Sequence, residues 1–449
     1  MTVAGRPRRD GRQARTVLLS VIGLHLVAET ALTPFLPQLF DRLYGIEDPQ
    51  ATGVYIWICR IVGLAALPLW GLAARRWALH RLVLAGLCGS AVFDLLLGMA
   101  PSYTAYTVLS TLVVATNSAL LLAYPAFIAE HGDESADGER GRLAGVCTLV
   151  VVFHLSVVVS TLVGAGVLAL PDPRFGISAF AVVDLVLAAW TYRILGRRPT
   201  APLHPPVAVP VGDGAAPRTA PVPKRRTNRR AWCTALAFVA LIGVAFDFSV
   251  NVSRPFLTAF SEDLGSGSVG SAVLFFLPSL SALAVLPLVR RCHARFGDRL
   301  LPAALAVGTL GLVWSFLADS LPALTAGRLL YGVGLGLGQV AVELWVFRAT
   351  GTEGPAYTVV ETVRNAGLLL APLAAAAAVT HDLALPLAIA AAVQFGAVLL
   401  ALRPRRPAAV PPAAEAPPHP RPPATASPVP AVAEPAAFAA LARTEENPL

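Results

Sequence analysis

Runs of about 20 apolar residues, parted by short charged or Pro/Gly-bearing breaks, recur along nearly the whole chain. An α-helix needs ~20 mostly apolar residues to cross a hydrocarbon core of ~30 Å, so each run is a candidate membrane span. Charge supports the same conclusion. Only 14% of the 449 residues are charged, against roughly 25% in a soluble domain, which is too little polar surface to coat water-soluble domains of this size. A cytosolic enzyme and a secreted disulfide scaffold are thereby excluded. The five cysteines, Cys59, Cys88, Cys147, Cys233 and Cys292, lie scattered and mostly within apolar runs, with no C-x-x-C pair. They read as packing residues, with no metal site.

Twelve spans are expected, at about 16–40, 52–73, 82–100, 104–129, 143–170 and 175–195, then 231–260, 269–289, 300–318, 322–347, 357–380 and 384–402. They form two sets of six, 16–195 and 231–402, a duplicated all-α membrane architecture with two pseudo-symmetric six-helix bundles. The first run, from Thr16 to about Phe40, is too long for the apolar part of a removable signal. Residues 196–230 hold eight prolines and a basic run from Lys224 to Arg230; residues 403–449 hold thirteen more. Such segments bury too little apolar surface to order themselves. The first is expected to be a cytoplasmic linker and the second a disordered cytoplasmic tail.

Short-loop charge sets orientation. Arg6, Arg8, Arg9, Arg12 and Arg15 precede span one, and Arg75, Arg76 and Arg81 follow span two. Basic residues also fill the linker, the loop between spans eight and nine (Arg290, Arg291, Arg295, Arg299) and the end of span twelve (Arg403, Arg405, Arg406). Alternate loops carry acids instead, among them Asp41, Glu47, Asp48, Glu262 and Asp263. Both termini, including the basic tail 1–15, are therefore expected in the cytoplasm, with the chain multi-pass in the cytoplasmic membrane. The loop 130–142 is acidic although it falls on the basic side, and acids weigh little in this rule. The net charge of +8 is thus membrane topology; no nucleic acid is called for.

The halves echo one another. Pro34-Phe35-Leu36 recurs as Pro255-Phe256-Leu257 at corresponding spans, and Leu67-Pro68-Leu69 as Leu286-Pro287-Leu288.

Ionisable groups inside spans are costly and normally face a partner or a wet cavity. Here they are Glu29, Arg60, Asp94, Asp184, Asp247, Arg254, Arg328, Glu343, Glu361 and Arg364. Helical spacing groups some of them. His25, Glu29 and Thr33 share a face of span one, with His25 a packing residue. Asp247, Asn251 and Arg254 share a face of span seven. Arg60 and Glu29 are at similar depth and are expected to pair. Glu361, Arg364 and Asn365 fall at i, i+3 and i+4, so an intrahelical pair competes with a transport role. Gln339 and Glu343 share a face of span ten, with Glu343 towards the end that would be gated. Asp94 and Asp184 are possible proton carriers without a partner assignable from spacing. The bland reading of each is a hydrogen bond between helices. No G-x-x-x-x-G-K-[ST] loop, H-E-x-x-H or paired metal ligands occur, so no cofactor, ATP site or catalytic site is expected.

The stretch from Gly71 to Arg81 places Arg75, Arg76 and Arg81 after span two, and Arg295-Phe296-Gly297-Asp298-Arg299 stands in the pseudo-symmetric loop. Together with six plus six spans around a central linker, these resemble the major facilitator superfamily, whose loop reads G-x-x-x-D-R-x-G-R-R/K. The acidic position is Arg75 here and the second glycine is Ala78. Arg328 to Gly336 is similar to the family's R-x-x-x-G-x-x-x-G/A helix. Gly164-Ala165-Gly166 stands where exporters carry a Gly-Pro signature. Residues 28–40 with 55–60 are similar to facilitators that export carboxylate-type siderophores. The resemblance implies a monomeric secondary transporter in the lipid bilayer, moving a small molecule by alternating access and coupled to H+. Spans one and seven would line its central cavity. Proton-antiport efflux of a siderophore- or drug-like substrate is the leading expectation. Uptake of a small polar metabolite is the alternative, and a membrane-embedded sensor or enzyme the third.

Overall fold

The structure is a computed structural model that describes residues 23, 24, 26–28, 30–74, 76, 77, 79–121, 138–195, 229–350 and 355–403. Every regular element among the described residues is a helix. The helices are α1 (Leu36–Tyr44), α2 (Pro49–Ala74), α3 (Leu79–Gly98), α4 (Tyr103–Leu121), α5 (Gly138–Ala169) and α6 (Pro173–Leu195). The expected linker falls largely on residues 196–228, outside the described residues; then come α7 (Arg229–Val252), α8 (Leu257–Asp263), α9 (Ser268–Val285), α10 (Val289–Phe296), α11 (Leu300–Phe316), α12 (Leu321–Thr350), α13 (Pro355–Leu368), α14 (Leu370–Val379) and α15 (Leu385–Leu402). Nine stretches among the described residues are long and apolar enough to cross a membrane. One of them, Ser268–Phe316, takes in two of the expected spans, eight and nine, with the short basic helix α10 between them. Spans one and four are not among the nine; span one is described in part, and α4 ends where the described residues stop.

Prolines place the breaks within spans. Proline cannot donate a backbone hydrogen bond and disfavours helical backbone in the residue before it. In span one a 3-10 turn, Thr33–Phe35, leads into α1; in span seven a turn around Pro255 leads into α8. The Pro-Phe-Leu repeat gives the same backbone at both breaks. Phe35 has φ −114° and ψ 9°, and Phe256 has φ −116° and ψ 8°. The Leu-Pro-Leu repeat does not. Pro68 sits inside the continuous α2, whereas Leu286–Leu288 is a 3-10 turn.

The packing is also repeated. α3 packs on α6 as α11 packs on α15, and α2 on α4 as α9 on α12. Between the sets, α2 meets α14 and α5 meets α9. Lipid tails are as apolar as leucine, so helices associate through close van der Waals fit and hydrogen bonds instead of water exclusion. Glycine supplies that fit in α12. Gly332 and Gly336 face α9, where a Cβ on Gly336 would stand 2.8 Å from Ala282 Cα, while Gly334 abuts Gly308 of α11. Large side chains on outer faces, such as Leu69, Phe175, Val269 and Leu370, are exposed on the protein alone, as contact with lipid requires.

Spans one and seven are joined at the end that holds α1 and α8. Thr258 Oγ1 donates to the Pro34 carbonyl (2.6 Å), and Gln38 Nε2 reaches Thr258 Oγ1 (3.2 Å) and Glu262 Oε2 (3.3 Å). Arg42 clasps the end of α5, donating to the carbonyls of Leu168, Leu170 and Pro171.

Candidate functional site in the charged interior

Span eleven turns Arg364 into a nest of carboxylates. Its Nε donates to Asp247 Oδ2 (2.7 Å), its Nη2 to Asp247 Oδ1 (3.3 Å) and Glu343 Oε1 (2.9 Å), and its Nη1 to Glu361 Oε1 (2.6 Å). The acids come from α7, α12 and α13. The Arg364 side chain is 8% exposed, while Asp247, Glu343 and Glu361 are 20%, 24% and 29% exposed. The cation is thus sealed and the acids remain reachable. Three ionised carboxylates on one guanidinium leave a formal excess of two negative charges. Glu343, expected towards the end that would be gated, faces Arg364. A methyl group on Gly243, one helical turn before Asp247, would stand 2.8 Å from Arg364 Cδ, so that glycine makes room for the arginine.

Arg60 of α2 crosses to the other set of helices. Its Nη2 donates to Asn251 Oδ1 (2.7 Å) and its Nη1 to the Leu368 carbonyl (2.8 Å). In a helix that carbonyl would accept from residue 372, which is proline. Pro372 therefore breaks α13 from α14 and leaves a carbonyl that Arg60 takes up. Asn251 in turn donates from Nδ2 to the Asp247 carbonyl (2.7 Å), which ties the Arg60 bridge to the Arg364 cluster. Glu29, the expected partner of Arg60, lies outside the described residues, as do His25 and Arg75.

The same device recurs at Arg328. Its Nε and Nη2 donate to the carbonyls of Leu274 and Phe275, 3.3 Å each, and Pro278 is the residue that leaves the Leu274 carbonyl without a helical donor. Arg254 occupies the turn between α7 and α8, its guanidinium 5.6 Å from the ring centre of Phe153. Gln339 lies against His154 of α5, and His154 Nδ1 is 3.2 Å from Ser279 Oγ.

Asp94 and Asp184 meet between α3 and α6, both buried. Ser90 Oγ, one turn before Asp94, donates to Asp94 Oδ2 (3.2 Å). The pair stands among the first set of helices, apart from the Arg364 cluster.

The loop residues behave differently. Gly71 lies within α2 with open space about it, and Arg76 and Arg81 are exposed. Arg295 and Arg299 are exposed as well, and Gly297, at φ +50°, closes α10 in a backbone that side chains resist. Arg348, at the end of α12, donates from Nη1 to Asp298 Oδ1 (3.0 Å) and lies 3.2 Å from His293 Nε2. Arg348, His154, Phe153 and Tyr331 were not singled out by the sequence. A basic residue in the last turn of span ten, opposite an acid in the loop before span nine, was the one available signal for Arg348.

Membrane-length helices, some broken at proline, with partly exposed charges turned inward, are the architecture of a multi-pass membrane protein. The chain matches the Major Facilitator Superfamily over residues 18–372, and it belongs to that family. It is therefore a secondary transporter of small molecules, in a family of carriers and not of enzymes. None of the curated proteins matches it.

Proposed function

We propose that this chain is a proton-coupled exporter of a siderophore- or drug-like molecule in the cytoplasmic membrane, working as a monomer with both termini cytoplasmic. Residues 16–195 and 231–402 are the two halves that rock to give alternating access, and Arg60 is one of the links between them. The Arg364 cluster carries the reading. Excess carboxylate inside a membrane protein is stabilised by a bound proton or by a second cation, and the three acids are reachable while their arginine is not. A proton taken up on Asp247, Glu343 or Glu361 loosens their hold on Arg364. Because α13 and α14 also hold the Leu368 carbonyl for Arg60, that loosening bears on the contact between halves. Asp94 and Asp184, two adjoining carboxyl groups, are a second place able to hold one proton. Export is favoured by the similarity of residues 28–40 and 55–60 to siderophore exporters.

The test is flux in proteoliposomes with an imposed pH gradient, with carboxylate siderophores as trial substrates. The parent should accumulate substrate against its gradient. Glu361→Gln and Glu29→Gln should each keep substrate exchange and lose at least tenfold in pH-driven uphill flux. Uphill flux that ignores the pH gradient in the parent would sink the coupling.

A further inference from the structure

A second group of interior charges has the opposite sign and, among the described residues, no carboxylate. The Arg254 guanidinium makes no hydrogen bond or ion pair among the described residues and lies within electrostatic reach of Arg328 and Tyr331. Arg328 is 3% exposed, and its two bonds to backbone carbonyls leave Nη1 with no partner. Tyr331, one turn along α12, lies under the same guanidinium at 5.4 Å, is 3% exposed, and has a hydroxyl with no partner. Ser253 is beside it but donates to the Val250 carbonyl (3.2 Å). His154, fully buried, leaves Nε2 unpartnered on the adjoining face of α5.

Arg254 is half-buried and Arg328 buried; two guanidinium groups within electrostatic reach repel, and Arg328 Nη1 loses hydration that nothing among the described residues returns. The unmet groups of Arg254, Arg328 and Tyr331 are N–H and O–H donors, and arginine can only donate. A neutral ligand would supply acceptors but leave both charges; a cation would worsen them. An oxyanion does both jobs, because its oxygens accept several charge-assisted bonds at once in the planar geometry a guanidinium offers. The location suits a carried molecule. Arg254 interrupts span seven between the helices, and Asn251, which holds Arg60, is one turn before it.

We infer that the transported molecule is an anion whose carboxylate or phosphate group is held by Arg254 and Arg328, with the Tyr331 hydroxyl as a further donor. This rests on the chain being a carrier, but not on proton coupling or export. Binding and driving force thus have separate seats, the cation group for the substrate and the Arg364 acids for the proton.

The experiment is equilibrium binding on the purified full chain in detergent, read as thermal stability at constant ionic strength. The probes are succinate, inorganic phosphate and the neutral isostere succinamide. Succinate or phosphate should raise Tm saturably while succinamide does not. Succinate alone would assign a carboxylate, and phosphate alone a phosphate. Arg254→Gln should weaken that binding at least tenfold, with the ligand-free Tm equal to or above the parent's because a like-charge repulsion is gone. Arg348→Gln, which removes an exposed arginine outside both charge groups, should keep the anion response. An anion response absent in the parent, matched by succinamide, or unchanged in Arg254→Gln overturns the inference. None of these readings uses a pH gradient, so coupling can fail while anion binding holds, and the reverse.

Discussion

Arg60 Nη1 and the Leu368 carbonyl, 2.8 Å apart, join residues from opposite sets of helices through a group that proline has set free. Pro372 has no N–H to return to Leu368, four residues back, so the carbonyl turns out of its helix and Arg60 answers it. The link therefore depends on Pro372 as much as on Arg60. Pro372→Ala restores the helical donor and competes with Arg60 for that oxygen. A hydrogen bond to a charged group contributes ~1.5–3 kcal/mol, a roughly ten- to 150-fold change in the balance of two states. Cys59, next to Arg60 and buried, should react correspondingly faster with a maleimide in Pro372→Ala, measured with the other four cysteines changed to serine. An unchanged rate would show that the bridge does not hold the halves together.

Arg364 faces three carboxylates, and Asp247 takes two of its bonds. Removing the cation strands the acids. Arg364→Gln should lower stability by about 3–5 kcal/mol, the range for breaking one side of a buried pair. Asp247→Asn leaves two acids for the arginine and should cost less. In the double variant the loss should be smaller than the sum of the two, because the charge imbalance is partly relieved. Thermal unfolding of the four proteins gives the coupling directly; strict additivity would mean that the two residues do not act together.

Gly53 and Gly71 lie on one helix and should respond oppositely to a methyl group. At Gly53 the added Cβ would stand 2.5 Å from Ala376 Cβ and 2.9 Å from the Pro372 carbonyl, so α2 and α14 would have to part. Gly53→Ala should destabilise by about 1–3 kcal/mol, as overpacking does. Nothing lies within 4 Å at Gly71; there alanine should be neutral or stabilising by up to ~1 kcal/mol through its better helix propensity. Thermal stability of the two single variants decides it, and equal effects would contradict the close contact of α2 with α14.

Orientation is tested by fusion. A reporter placed within 200–225 should be active as a cytoplasmic one, and a reporter within 262–268 as an external one. The reverse result at either place would invert or break the two-half topology inferred from loop arginines.

The sequence by itself determined what depends on neighbours along one helix. Run length in apolar residues specified helices of membrane length, Pro34 and Pro255 marked matching breaks, and the spacing of Glu361 and Arg364 made them an intrahelical pair, found here at 2.6 Å. What lies between helices was not readable. Asp94 meets Asp184, Arg60 takes Leu368, and Arg364 gathers Asp247 and Glu343, and each of these pairings depends on how far a helix is rotated and how deep it sits. In water an amphipathic stripe reveals that rotation, because only one face is apolar. In lipid the outward face is apolar too, so the pattern does not say which side of a span looks inward. Arg254 and Asp247 share one face of one span in sequence. Only tertiary packing decided that one stands among donors without an acid while the other shares an arginine with two more carboxylates.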